Sequence, residues 1–208
     1  TLDTDKIQIL ENQHAVGIIE VKGEIFSAAG VRDKVQNFLD QDSIKAIVLR
    51  IDSPGGTLGA SEEIYHLIKH ARKKKPIVCS LGTIAASGGL YIANACQKIV
   101  AHKGTITGSI GVIFMTPYLG ELMKDLGVKM NVLKSGNFKD AGSPFREVTE
   151  DDRKLLQAVI DQSHEQFVKV ISKSRKIPIK KVRSFADGRI FLGEYALGLG
   201  LIDATGDM

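Results

Sequence analysis

The sequence predicts an α/β fold with right-handed crossovers. Strand-like apolar runs alternate with amphipathic helical stretches, the AIVLRI run at 46–51 is apolar on both faces as a covered parallel strand should be, and glycine-rich turns follow the strands. At 208 residues, with 43% hydrophobic and 25% charged residues, the chain suits one large domain or two small ones and is too apolar to be disordered.

AVGIIEV, 15–21, alternates as a strand, and the turn GEIFSAAG leads from it into a helix near 30–40. AIVLRI then runs into DSPGG, where Pro54 and the paired glycines stop a ladder and place a loop at the strand's C-terminal end. LGASEEIYHLIKHARKKK, 58–75, sets Ile64, Leu67, Ile68 and Ala71 at helical spacing, and Pro76 closes it. PIVCSL, 76–81, is the next strand, and AASGGLYIANA, 85–95, is a glycine turn feeding a helix of small residues.

KIVAH at 98–102 and SIGVIF at 109–114 are further strand candidates, and GELMKDLG, 120–127, is a short amphipathic helix. From Thr149 the chain shows a capping-box-like start with Asp152 and a long apolar stripe from Leu155 to Ile171, with Pro178 as the stop. The tail is expected to form a short helix, a DGR turn, another short helix and a terminal strand at GLID. No linker, repeat or low-complexity tract interrupts the chain, so a single domain over 1–208 is expected.

The net charge of +4 is too small to imply a polyanion partner. Its excess is local: Lys169, Lys173, Arg175, Lys176, Lys180, Lys181 and Arg183 occur without an acid, which suits a solvated helix end and an assembly contact, with anionic lipid as the lesser alternative. No recognised nucleic-acid motif accompanies it, so no nucleic-acid partner is expected. Cys79 and Cys96 lie in apolar contexts that suit small buried thiols. No apolar run reaches the roughly 20 residues that span a bilayer, while the start at Thr1 makes a removed leader or anchor an expectation for the full-length protein.

Three glycine turns, DSPGG at 52–56, ASGG at 86–89 and TGSIG at 107–111, would gather beyond strand ends as a site lined by backbone donors. None carries the lysine of a phosphate loop or a full GxGxxG pattern, and His66 and His70 lack the acid of a zinc motif, so no cofactor and no metal are expected. Ser87 stands among Ala85, Ala86, Gly88 and Gly89, where backbones approach closely and a following helix presents free amides. It suits a nucleophile, and equally a helix cap. No histidine has an aspartate-backed motif that selects it, and a lysine whose amine is kept neutral by burial can instead serve as base. Lys139, an isolated cation in SGNFKDAGSP, is the best candidate.

With LRIDSPGG at 49–56, AASGGLYIA at 85–93, GTITGSIGV at 104–112 and KSGNFKDAGSPFR at 134–146 in this order, the chain resembles the bacterial signal peptide peptidase A family of serine proteases. The resemblance implies the spiral β-α-β superhelix shared by Clp protease and the crotonases. It also implies a Ser-Lys dyad of Ser87 and Lys139, with Ser109 holding the lysine amine. The family's oxyanion hole of backbone amides falls on Gly55 and Gly88, with Gly56 shaping the turn, and Asp52 is read as structural. GTLGA at 56–60, including Gly56, Thr57, Leu58 and Gly59, is expected to border a groove for extended apolar peptides, such as signal peptide remnants, bound as an added strand.

Family members work at the outer face of the bacterial cytoplasmic membrane, generally behind an N-terminal anchor, and assemble into rings or bowls. They commonly continue past the point matched by GLIDATGDM, so a C-terminal extension is expected. The alternatives are a crotonase-like acyl-CoA enzyme, which would not need the Ser87–Lys139 pair, and a non-catalytic assembly module, which the presence of Ser87, Lys139 and Ser109 argues against.

Overall fold

A computed structural model describes residues 8–10 and 14–206. The chain divides into two compact units, one of residues 1–111 and 167–208, the other of residues 112–166.

The first unit is built on one eight-stranded sheet. Its strands are β1 (Gln8–Leu10), β2 (His14–Lys22), β3 (Ile44–Ser53), β4 (Ile77–Ala86), β5 (Lys98–Ala101), β6 (Ile106–Gly108), β7 (Ile190–Leu192) and β8 (Ala204–Thr205). The main order is β1-β2-β3-β4-β5-β8, with parallel pairing from β2 through β8 and an antiparallel β1 at the edge. Residues 78–81 of β4 pair with β5, whereas its end, Ile84–Ala86, pairs with β6, which in turn pairs antiparallel with β7. One strand thus serves two successive neighbours, and the sheet turns at the place where β4 ends.

Helices α1 (Ala29–Asp40) and α2 (Leu58–Ala71) are the crossovers from β2 to β3 and from β3 to β4. α2 buries Ala60, Ser61, Ile64, Tyr65, Ile68 and Ala71, the stripe its spacing predicts. α3 (Gly88–Ala93) is buried along its whole length, with Leu90, Tyr91 and Ile92 among the largest fully buried side chains. Tyr91 of α3 packs between Tyr65 and Phe167, with ring centroids 5.4 and 5.1 Å apart.

Cys79 and Cys96, expected as separate thiols, form a disulfide with Cα atoms 5.8 Å apart. The chain returns from α3 to begin β5 beside β4, with the Gln97 N–H donated to the Ile77 carbonyl at 3.0 Å, and this return sets the two cysteines side by side. Two strand expectations also shift. The 109–114 run is not a strand, because Gly108 and Ser109 both take positive φ, +85° and +50°, and end β6. The last strand is Ala204–Thr205 rather than GLID, since the Asp203 carboxylate accepts the Ile99 N–H at 2.9 Å as the chain enters the sheet. Burial alone would push the Asp203 carboxyl up, but hydrogen bonds from Arg175 and that amide hold it below the ordinary carboxylate range.

The second unit contains α4 (Gly120–Asp125) and the first part of α5 (Glu150–Arg175), joined by loop. Thr149 and Asp152 form the predicted reciprocal cap: the Thr149 N–H donates to Asp152 Oδ2 at 3.0 Å and the Asp152 N–H to Thr149 Oγ1 at 3.1 Å. Among the described residues of this unit only Asp152 is buried, and Ile113, Met115, Leu126, Leu133 and Val159 are exposed. α4, α6 (Ile179–Arg183) and α7 (Gly193–Leu199) are short. Among the described residues no helix is long and apolar enough to cross a membrane.

Leu81, fully buried on β4 between Ile51 and Ala101 of the flanking strands, tests this core. Leu81→Ala is expected to cost about 2–5 kcal/mol of stability, measured by chemical denaturation.

Candidate active site

Ser87 leaves β4 directly and begins the turn into α3 at φ +50° and ψ −119°. Its N–H donates to the Gly108 carbonyl at 2.9 Å, and its own carbonyl accepts the Tyr91 N–H at 2.9 Å. A residue other than glycine held in this region costs about 1–3 kcal/mol, and a sharp strand-to-helix turn of this kind presents the serine hydroxyl clear of the sheet. Ser87 stands at the N-cap position, yet its side chain makes no capping bond, and its hydroxyl has no hydrogen bond among the described residues. The capping role open to it in sequence is therefore not realised by the side chain.

Ser109 stands next to it. The pairing Ala86↔Gly108 is the last register of β4 with β6, so Ser87 and Ser109 leave adjacent strands side by side, both with φ of +50°. The Ser109 N–H donates to the Arg189 carbonyl at 2.8 Å, tying it to the DGR turn. Arg189 in turn donates to Asp187, an ion pair that lowers the Asp187 carboxyl to about 2.

The SPGG turn packs on the same point. Gly55 has φ of +116°, and a Cβ there would lie 2.8 Å from Ser87 Cβ and 2.9 Å from the Gly88 nitrogen. A Cβ on Gly88 would collide with Ser61 Oγ and lie 3.3 Å from the Gly56 nitrogen. These approaches require glycine at both positions.

The amides are divided differently from the sequence expectation. The Gly55 N–H, expected as an oxyanion donor, donates instead to Ser53 Oγ at 3.1 Å. Ile25 holds the turn from its other side: its N–H donates to the Gly55 carbonyl at 2.8 Å, and its carbonyl accepts the Thr57 N–H at 2.9 Å. In such a parallel bridge, Gly56 directs its own N–H away from Ile25. The Gly56 and Gly88 amides have no acceptor among the described residues, and they are the adjacent free donors beside Ser87. The sequence did contain a signal for this, since serine two residues ahead of Gly55 favours a turn in which the hydroxyl takes that amide.

Of the expected groove residues, Gly56 and Thr57 are exposed, but the Thr57 N–H and hydroxyl are both engaged by the Ile25 carbonyl. Leu58 and Gly59 open α2 and offer no extended edge. The Asp52 carboxylate accepts the Ile84 N–H at 3.1 Å and stands against Gly82, where β3 and β4 change register, a structural position. Lys139 lies in the second unit, in a turn in which its N–H donates to the Gly136 carbonyl at 3.1 Å. Its side chain is exposed, and its amine has no partner among the described residues.

The profile of peptidase family S49 matches residues 69–208. The chain belongs to this family. Peptidase family S49 is a family of serine proteases, and the resemblance seen in the sequence motifs is thereby established. The Clp protease profile matches residues 6–103. A Synechocystis protein provisionally named as a protease is 47% identical over 191 residues, 90% of this chain and 68% of that one. The chloroplastic serine protease SPPA of Arabidopsis thaliana is 32% identical over 193 residues, 92% of this chain and 28% of that protein. A ClpP1 mutant from Listeria monocytogenes superimposes with a TM-score of 0.64, covering 92% of this chain and 91% of that one at 16% identity, and this likeness establishes the spiral β-α-β fold.

Gly55→Ala tests the packing of the SPGG turn on the serine. Peptidase activity is expected to fall about a hundredfold or more, through displacement of Ser87 and of the adjacent amides, with the far-ultraviolet dichroism spectrum retained.

Proposed function

We propose that the chain is the catalytic domain of a Ser-Lys peptidase, with Ser87 as nucleophile, Lys139 as general base and Ser109 as the hydroxyl that holds the lysine amine. The observation that carries this reading is Ser87 itself, held at positive φ with an unbonded hydroxyl beside the two free amides of Gly56 and Gly88. These two amides, rather than Gly55 and Gly88, are assigned as the oxyanion donors.

Neutral Lys139 takes the Ser87 proton as the oxygen attacks a peptide carbonyl. The Gly56 and Gly88 amides stabilise the tetrahedral oxyanion, each worth about 3 kcal/mol in sites of this kind. The protonated lysine then delivers its proton to the leaving amine, and the same cycle with water releases the acyl group from Ser87. No metal or cofactor enters these steps.

The substrates are proposed to be extended apolar peptides, signal peptide remnants among them, on the family resemblance. Assembly into a ring or bowl is supported by the second unit, which exposes Ile113, Met115, Leu126 and Leu133 while burying no apolar side chain among its described residues. Placement of this domain on the extracytoplasmic side of a bacterial membrane is supported by the Cys79–Cys96 disulfide, which suits an oxidising compartment, and a membrane anchor in the full-length protein is proposed on the family resemblance.

The test is cleavage of an apolar peptide by the assembled protein and by its Ser87→Ala and Lys139→Ala variants, measured across pH. Each variant is expected to lose about a thousandfold or more in kcat. The parent's rate is expected to rise with pH, since only the neutral amine accepts a proton. Full activity in both variants, or a parent profile flat from neutral to alkaline pH, would overturn the dyad.

A further inference from the structure

The loop that carries Lys139 is organised around an ion network absent from the catalytic scheme above. Arg146 donates from Nη2 to Asp140 Oδ1 at 2.9 Å and to Asp152 Oδ1 at 3.1 Å, and from Nη1 to Asp152 Oδ2 and to the Glu147 carbonyl. Lys134 donates to the same Asp140 Oδ1 at 2.7 Å and to the Asn137 carbonyl at 3.1 Å. Asp152 is 1% exposed and also caps α5. The two ends of the loop, at Lys134 and Arg146, therefore meet on Asp140, and the fork of Arg146 fastens that point to the first turn of a helix.

Asp140 is the residue next to Lys139. Hydrogen bonds from Arg146 and then Lys134 hold its carboxyl well below the usual carboxylate range, and Arg146 does the same for Asp152. The four groups sum to zero charge, and the carboxylate of Asp140, the residue that follows Lys139 in the chain, is already neutralised by two other cations. The remaining acids of this stretch, Glu147, Glu150 and Asp151, are exposed, with Glu150 facing Lys154 at 4.0 Å. A lysine beside an unengaged carboxylate is stabilised as the ammonium ion, the form that cannot accept a proton.

We propose that Arg146 is a positioning residue for Lys139: it locks the 134–146 loop onto α5 and withholds the Asp140 carboxylate from the neighbouring amine, leaving that amine available as a base. The proposal rests on Lys139 being the base of the reaction. Arg146 touches no substrate in this scheme and acts through Asp140.

The experiment has two readouts, the pH dependence of peptide cleavage and the pH dependence of Lys139 acetylation by limiting acetic anhydride, quantified by mass spectrometry. The variants are Arg146→Ala, Arg146→Lys and the double variant Arg146→Ala with Asp140→Asn. In Arg146→Ala the half-labelling pH of Lys139 and the rising limb of kcat are both expected to move up by about one pH unit, with about a tenfold loss of kcat at neutral pH. The double variant is expected to bring both curves back down, because the Asp140 carboxylate, left with Lys134 as its one remaining cation in Arg146→Ala, is gone. Arg146→Lys, which keeps the charge without the fork, is expected to fall between parent and Arg146→Ala and serves if Arg146→Ala does not fold.

Unmoved curves in Arg146→Ala, or curves that stay displaced in the double variant, would overturn the role of Arg146, because loss of loop structure alone is not repaired by removing Asp140. Labelling reports on Arg146, Asp140 and Lys139 without requiring turnover. A shifted labelling curve together with full activity in Lys139→Ala would therefore reject the dyad while leaving the network's effect on the amine intact.

Discussion

Ser87 holds a left-handed backbone conformation because connections from three chain segments converge where β4 ends. Gly108 of β6 takes its N–H, Tyr91 of α3 takes its carbonyl, and the Gly55 turn presses against its Cβ position. No one of these would offset the conformational cost of a serine at φ +50°; together they leave the residue no room to relax. The rest of the site follows from that constraint. β6 must pair with the end of β4, which sets Ser109 beside Ser87, and Gly55 and Gly88 must lack side chains for the backbones to meet.

The proposed oxyanion donors illustrate how a backbone site is selected by what occupies the other amides. Of the two glycine amides in the SPGG turn, Ser53 removes one from use and the bridge to Ile25 orients the other. Ile25 takes no part in the chemistry, yet its N–H and carbonyl set the pitch of the turn. Preorganisation of this sort is what makes hydrogen-bond donors effective against developing charge, since the chain does not reorganise at the moment of reaction.

Lys139 is held by different means. The first unit fixes its serines through strand register and a buried apolar core, whereas among its described residues the second unit buries only one carboxylate, and its lysine loop is ordered by ions. Charge pairs at a surface are individually weak, so the Arg146 fork gains its effect from geometry: it joins both ends of the loop to a helix cap.

Much of the fold was legible in the local pattern. An alternating run located β2 and continuous apolar runs located β3 to β5, the stripe at Ile64, Leu67, Ile68 and Ala71 located α2, and the Thr149–Asp152 cap marked the start of α5, because period and capping are properties of a few neighbouring residues. The ordered glycine motifs also sufficed to identify a serine protease family. Other features depended on partners distant in the chain. Gly108 and Ser109 ended a strand that their apolar context favoured, Cys96 met Cys79 only through the return from α3 to β5, and the amide of Gly56 displaced that of Gly55 as a free donor. The sequence by itself determined the family and singled out the candidate residues, since hydroxyls and glycines in ordered local motifs are readable without the fold. Tertiary structure alone decided which of their backbone groups remain free, because a hydrogen bond is assigned only when strands and turns from separate parts of the chain come within reach of one another.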